Sequence, residues 1–177
     1  MLRFKALLIV LAALFAFLAP LASAQSSKVL EAKWWPSANA FAQGQTYPMV
    51  IRLLVTPGMH INSNQPDDPD LISTKIKITS PDGLSWGPPA FPAAKKIKLG
   101  FAEKSLAVFD GVVLVRIELK VAKYAKLGDH QIKAQISFQG CDNNMCFMPE
   151  TREVPLTVEV VPAGQTVLPL NRDLFAR

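Results

Sequence analysis

Apolar side chains recur at every second position through much of this sequence. Ile132, Ala134, Ile136 and Phe138 alternate with Lys133, Gln135, Ser137 and Gln139. Val154, Leu156, Val158 and Val160 share one face of residues 152–161, and Ile72, Thr74, Ile76 and Ile78 alternate with Ser73, Lys75, Lys77 and Thr79. A period of two turns one face of an extended chain toward a core and the other toward water, which is the geometry of a half-buried strand. Residues 47–56 and 112–121 are richer in consecutive apolar residues and read as more central strands. Turn signals separate the runs: Thr56-Pro57-Gly58, Ser80-Pro81-Asp82-Gly83, Gly87-Pro88-Pro89, Asp110-Gly111 and Leu127-Gly128-Asp129. Fourteen prolines and nine glycines argue further against long helices. Seven or eight short strands of this kind predict an all-β fold, an antiparallel immunoglobulin-like β-sandwich.

Three segments do not alternate. Residues 62–69 form a polar connection, and residues 92–104 read as a longer basic loop with Phe101 near its end. A loop that displays a phenylalanine commonly covers something apolar. Residues 162–177 show no periodicity and are expected to be a loosely ordered tail.

The N-terminus reads as an address. Arg3 and Lys5 precede an uncharged apolar run from Ala6 to Leu18, Pro20 breaks it, and Ala22-Ser23-Ala24 offers the small-x-small pattern of signal peptidase. That run is shorter than the ~20 residues a spanning helix needs. Cleavage after residue 24 is therefore expected, giving an exported or periplasmic domain over 25–161 with no stable membrane insertion. Removing Arg3 and Lys5 from the formal net charge of +5 leaves +3. The remaining lysines are scattered among acids, which describes a solvated surface and excludes a nucleic-acid stripe.

The sequence holds two cysteines, Cys141 and Cys146, in Phe138-Gln-Gly-Cys-Asp-Asn-Asn-Met-Cys-Phe-Met148. Asp and Asn between them favour a tight turn, so the pair is expected to face across a hairpin with Cα atoms near the ~5.5 Å of a disulfide. The loop so closed is short and gains little chain entropy, which makes a poor staple and, at an exposed hairpin tip, a better redox couple. Asp142 and the apolar cover of Phe138, Phe147 and Met148 disfavour a thiolate, so the reduced pair should react slowly until a partner docks. A structural disulfide in a non-catalytic binding module stays open. So does a copper site built from Cys141, Cys146, Met145, Met148, Met59 and His60. Hydrolytic chemistry lacks its motif: there is no Gly-x-Ser-x-Gly.

Phe138-Gln139-Gly140-Cys141, then Cys146, then Pro149-Glu150-Thr151 and Val154-Pro155-Leu156, resembles the cysteine hairpin of the N-terminal periplasmic domain of the thiol:disulfide interchange protein DsbD. Pro57-Gly58-Met59-His60-Ile61-Asn62-Ser63-Asn64 resembles a second segment of that family, and the likeness extends over residues 29–160. The resemblance implies an immunoglobulin-like domain whose Cys141 and Cys146 cycle between dithiol and disulfide. Cys146 would form the mixed disulfide, Cys141 would resolve it, and Phe101 would act as the shielding cap. His60, Asn62, Phe138 and Phe147 are the candidate pocket residues. Thioredoxin-fold redox proteins are the implied partners, in disulfide isomerase reduction or cytochrome c maturation. The membrane and thioredoxin-like domains of full-length DsbD are not in this sequence, so a membrane electron donor is expected in trans to a monomeric domain. No metal and no organic cofactor is implied.

Overall fold

The computed structural model describes residues 29–175, so the signal peptide read at residues 1–24 lies outside the described residues. Twelve strands and one short helix follow in order among them. They are β1 (Leu30–Pro36), β2 (Phe41–Ala42), β3 (Thr46–Val55), β4 (His60–Asn62), β5 (Lys75–Thr79), β6 (Leu84–Trp86) and β7 (Lys95–Ile97). After these come β8 (Leu106–Phe109), β9 (Val112–Val121), β10 (Gly128–Phe138), β11 (Gly140–Cys141), β12 (Glu150–Val161) and α1 (Arg172–Phe175).

Two four-stranded sheets make the sandwich, one in the order β1-β3-β9-β6 and the other β2-β12-β10-β5. Pairing is antiparallel except for the short parallel contact of β2 with β12. The alternation dictates what each sheet buries. Met49, Ile51, Leu53 and Val55 of β3 and Val113, Val115, Ile117, Leu119 and Val121 of β9 meet Ile132, Ala134, Ile136 and Phe138 of β10. Val154, Val158 and Val160 of β12 complete the same core. Each such side chain contributes roughly 1.5–3 kcal/mol on burial. Trp34 of β1 stitches the sheets, because its indole N–H donates to the Val154 carbonyl of β12 at 3.0 Å. The fold is the antiparallel immunoglobulin-like β-sandwich that the period of two predicts.

A third, smaller sheet, β11-β4-β8-β7, forms where β3 and β10 run out. The 92–104 segment is not wholly loop, since Lys95-Lys96-Ile97 pairs with β8. It is an edge strand three residues long with lysine side chains, a common way to blunt an open sheet edge. The strand expected from Ile72 begins only at Lys75. Thr74 before it is buried and its hydroxyl donates to the Asn62 carbonyl at 2.5 Å.

The tail is docked, contrary to its expected looseness. Ala38 bridges Pro169, the Asn39 and Leu170 N–H groups bond to the Leu168 and Ser37 carbonyls, and the Asn171 amide donates to the Pro36 carbonyl at 2.7 Å. Arg116 donates to the Leu174 carbonyl at 2.6 Å. Backbone pairing needs no side-chain periodicity, which is why the sequence pattern is silent there. No helix among the described residues is long and apolar enough to cross a membrane.

Candidate functional site

The site is an extension of β10. Phe138 ends that strand inside the main core with no exposed surface, so it anchors the hairpin and is not a pocket residue as expected. Gly140 follows, and a Cβ there would lie 2.7 Å from Val29 Cγ1, so a glycine lets the strand pass under Val29. Cys141 then pairs with His60 of β4 on one side and with Cys146 on the other.

Two backbone bonds flank the cysteines: Asp142 N–H to the Met145 carbonyl, 2.9 Å, and Phe147 N–H to the Gly140 carbonyl, 2.8 Å. Cys141 and Cys146 are thus a non-hydrogen-bonded antiparallel pair, the arrangement that brings opposite residues closest. They are joined as a disulfide, and their Cα atoms are 3.9 Å apart, closer than the ~5.5 Å expected, because this narrow register sets the spacing. Asp142 makes the turn. Its Oδ1 accepts the N–H groups of Asn144 at 2.7 Å and Met145 at 2.8 Å, and these bonds hold the carboxyl below the usual carboxylate range. Its charge is therefore engaged with the loop backbone.

The disulfide is not simply exposed at a tip. Cys141 has no exposed surface and packs with Leu99, Leu106 and Val108 in a small second core, whereas Cys146 is only partly buried at its margin. Beside Cys146 in the hairpin the surface is apolar: Met145, Phe147 and Met148 are 55%, 36% and 82% exposed. The expected cap residue Phe101 is 42% exposed, next to Gly100 in the loop that meets the hairpin. Leu99, 1% exposed, packs in the cluster that holds Cys141. The backbone of Gly100 closes the loop onto the hairpin, its N–H reaching the Asn143 carbonyl at 3.0 Å and Asn143 Oδ1 at 3.1 Å. A Cβ on Gly100 would lie 2.7 Å from that carbonyl.

His60 lies partly buried opposite Cys141, and its Nδ1 is buried without a hydrogen-bond partner. Asn62 is fully buried and works as a brace, not as a pocket wall. Its amide donates to the Ile72 carbonyl at 3.1 Å and to Gln139 Oε1 at 3.2 Å. Gln139 links this brace to the hairpin, because its Nε2 donates to the Phe147 carbonyl at 3.0 Å. Leu99, Gly100, Asn143 and Gln139 contribute beyond the expected site residues; Gln139 stood in the cysteine motif, and a glycine in an otherwise basic loop was the other available signal. Among the described residues no three His, Cys, Asp or Glu side chains are grouped to hold an ion.

A β-sandwich that carries a cross-strand cysteine pair at one end, one sulfur residue buried and the other at the surface, defines a class of domain able to present a disulfide to another protein. Residues 31–158 match the family model described as thiol:disulfide interchange protein DsbD, N-terminal, and the chain belongs to that family. Among solved structures it is similar to the DsbD N-terminal domain of Neisseria meningitidis in the reduced form (16% identity, 78% of this chain and 90% of that one, TM-score 0.41). It is also similar to the N-terminal periplasmic domain of ScsB from Proteus mirabilis (13% identity, 76% of this chain and 48% of that one, TM-score 0.47). No curated protein matches.

Proposed function

We propose that this domain relays electrons outside the cytoplasm by thiol–disulfide exchange through Cys141 and Cys146, with Cys146 as the sulfur that meets the partner. The observation that carries this reading is the unequal burial of the pair: Cys141 has no exposed surface, and Cys146 lies at an apolar margin. A thiolate of a reducing partner attacks Cys146 Sγ and forms a mixed disulfide, while the bond to Cys141 breaks and its electron pair stays on the Cys141 sulfur. The partner's second thiolate then attacks its own sulfur in the mixed disulfide and releases Cys146. Two electrons have entered the domain, and the partner is left oxidised. In the reverse sense the Cys146 thiolate attacks an acceptor's disulfide, and Cys141 displaces the acceptor. Membership of the family supports thioredoxin-fold proteins as both partners, with electrons supplied by a membrane donor in trans and passed toward disulfide isomerase reduction or cytochrome c maturation.

The trapping experiment tests the assignment. Cys141→Ala leaves the surface sulfur without its resolving partner and should accumulate a covalent adduct with an oxidised thioredoxin-fold protein. Cys146→Ala should accumulate far less. Equal trapping by both variants, or none by either, contradicts the reading.

A further inference from the structure

We infer that His60 is the proton-exchange partner of the Cys141 sulfur, an inference that rests on the exchange reading above. Attack at Cys146 leaves the electron pair on Cys141, whose residue has no exposed surface. A buried thiolate without a proton or a hydrogen-bond donor is strongly disfavoured. Register supplies a donor. His60 is directly opposite Cys141, and Cys141 is directly opposite Cys146, so the three residues occupy one cross-strand row. Residues so paired project from the same face, with Cβ atoms roughly 4.5–5.5 Å apart.

The ring has capacity to spare, since Nδ1 is buried with no hydrogen-bond partner. Other charged groups around it are differently placed. Asp110, one residue beyond β8, is ion-paired with Lys95 of β7, and the Asp142 carboxylate takes the Asn144 and Met145 N–H groups. Glu31 of β1 shares with His60, Met59 and Asp110 the lining of a surface groove of about 600 Å³. His60 thus lines this groove, which admits water, and is the cross-strand neighbour of the buried cysteine.

The step balances in both directions. As the Cys141–Cys146 bond breaks, the His60 imidazolium gives its proton to the Cys141 thiolate, and water in the groove reprotonates the neutral ring. In the return step the imidazolium first gives its proton back to water in the groove, and the neutral ring then takes the proton from the Cys141 thiol. The thiolate so formed attacks Cys146 Sγ in the mixed disulfide and expels the partner's thiolate.

Single-turnover reduction of the disulfide by dithiothreitol from pH 5 to 9, normalised to the reductant's thiolate fraction, compares the wild type with His60→Gln. The wild-type profile should bend upward toward the acid end of this range, as a positioned proton donor requires. The variant should lose this inflection and be slower by about 10-fold or more at pH 6, within the range of positioned proton donors. Matching normalised profiles overturn the inference and leave the exchange reading standing. A wild-type disulfide inert to dithiothreitol overturns both. A readout without substitution guards against misfolding, because the chain has two histidines. At one fixed pH the ring-nitrogen NMR shifts of His60 should change between disulfide and dithiol forms, as a new hydrogen-bond partner requires. Those of His130, whose ring bonds the Lys126 carbonyl at 2.6 Å, should stay still. Unchanged His60 ring shifts overturn the inference.

Discussion

Gly100 carries no functional group, yet its missing Cβ is what lets the β7–β8 loop lie on Asn143. Gly100→Ala must lift that loop, so the variant should lose about 1–3 kcal/mol of stability, as overpacked sites do. Its disulfide should be reduced several-fold faster by dithiothreitol; an unchanged rate would show that the loop does not shield it. Asp142 makes a second residue-scale prediction. Its folded-state pKa lies below the ordinary 3.8, so its contribution is fully present above that pH and is lost as pH falls through the lower folded value. The Asn144 and Met145 amides should therefore keep their exchange protection down to about pH 4 and lose it in stronger acid. Asp142→Ala should remove that protection at every pH. A local probe is needed because Glu153, bonded to Lys133 and Gln135, is also shifted downward and colours any global acid titration. Sequence adjacency made Asp142 look like a charge facing a thiol; only the turn reveals that its oxygen faces the backbone.

At the scale of elements, β10 shows what a sequence pattern can and cannot carry. Its alternation places Ile132, Ala134, Ile136 and Phe138 inward, and the structure buries all four. The same pattern cannot report that β10 gives way at Gln139 to a two-residue strand in another sheet. Strands of two or three residues, such as β7 and β11, are too short to show a period, so the sheet that holds the site was the part least legible. The cysteine hairpin itself was legible because Asp and Asn mark turns locally. Its cover was not, because Leu99 and Phe101 are both apolar and only three-dimensional packing decides which one goes inside. Phe138→Ala should cost about 3–5 kcal/mol in chemical denaturation, as large core truncations do. Phe101→Ala should stay within about 0.5 kcal/mol, as exposed positions do, while slowing exchange with a protein partner. A large stability loss at Phe101 would mean that it packs in a way the exposed ring does not suggest.

For the whole molecule, stability and reactivity are housed separately. The sandwich core joins β1, β3, β9, β10 and β12 without either cysteine, and Cys141 belongs to the small second cluster. The cysteines are five apart in sequence, so chain-entropy arguments assign the bridge only about 2 kcal/mol. Reduced protein should therefore keep its far-ultraviolet circular dichroism and melt only several degrees lower than oxidised protein. Collapse on reduction would make the bridge structural. The central claim, that this bridge cycles, is tested most directly by equilibrating the protein with glutathione redox buffers and reading the Cys141–Cys146 state by thiol alkylation. An exchangeable couple should titrate at a potential above about −300 mV and follow a thioredoxin-fold partner's poise. A pair that stays oxidised below about −300 mV, and does not exchange with such a partner, would contradict it.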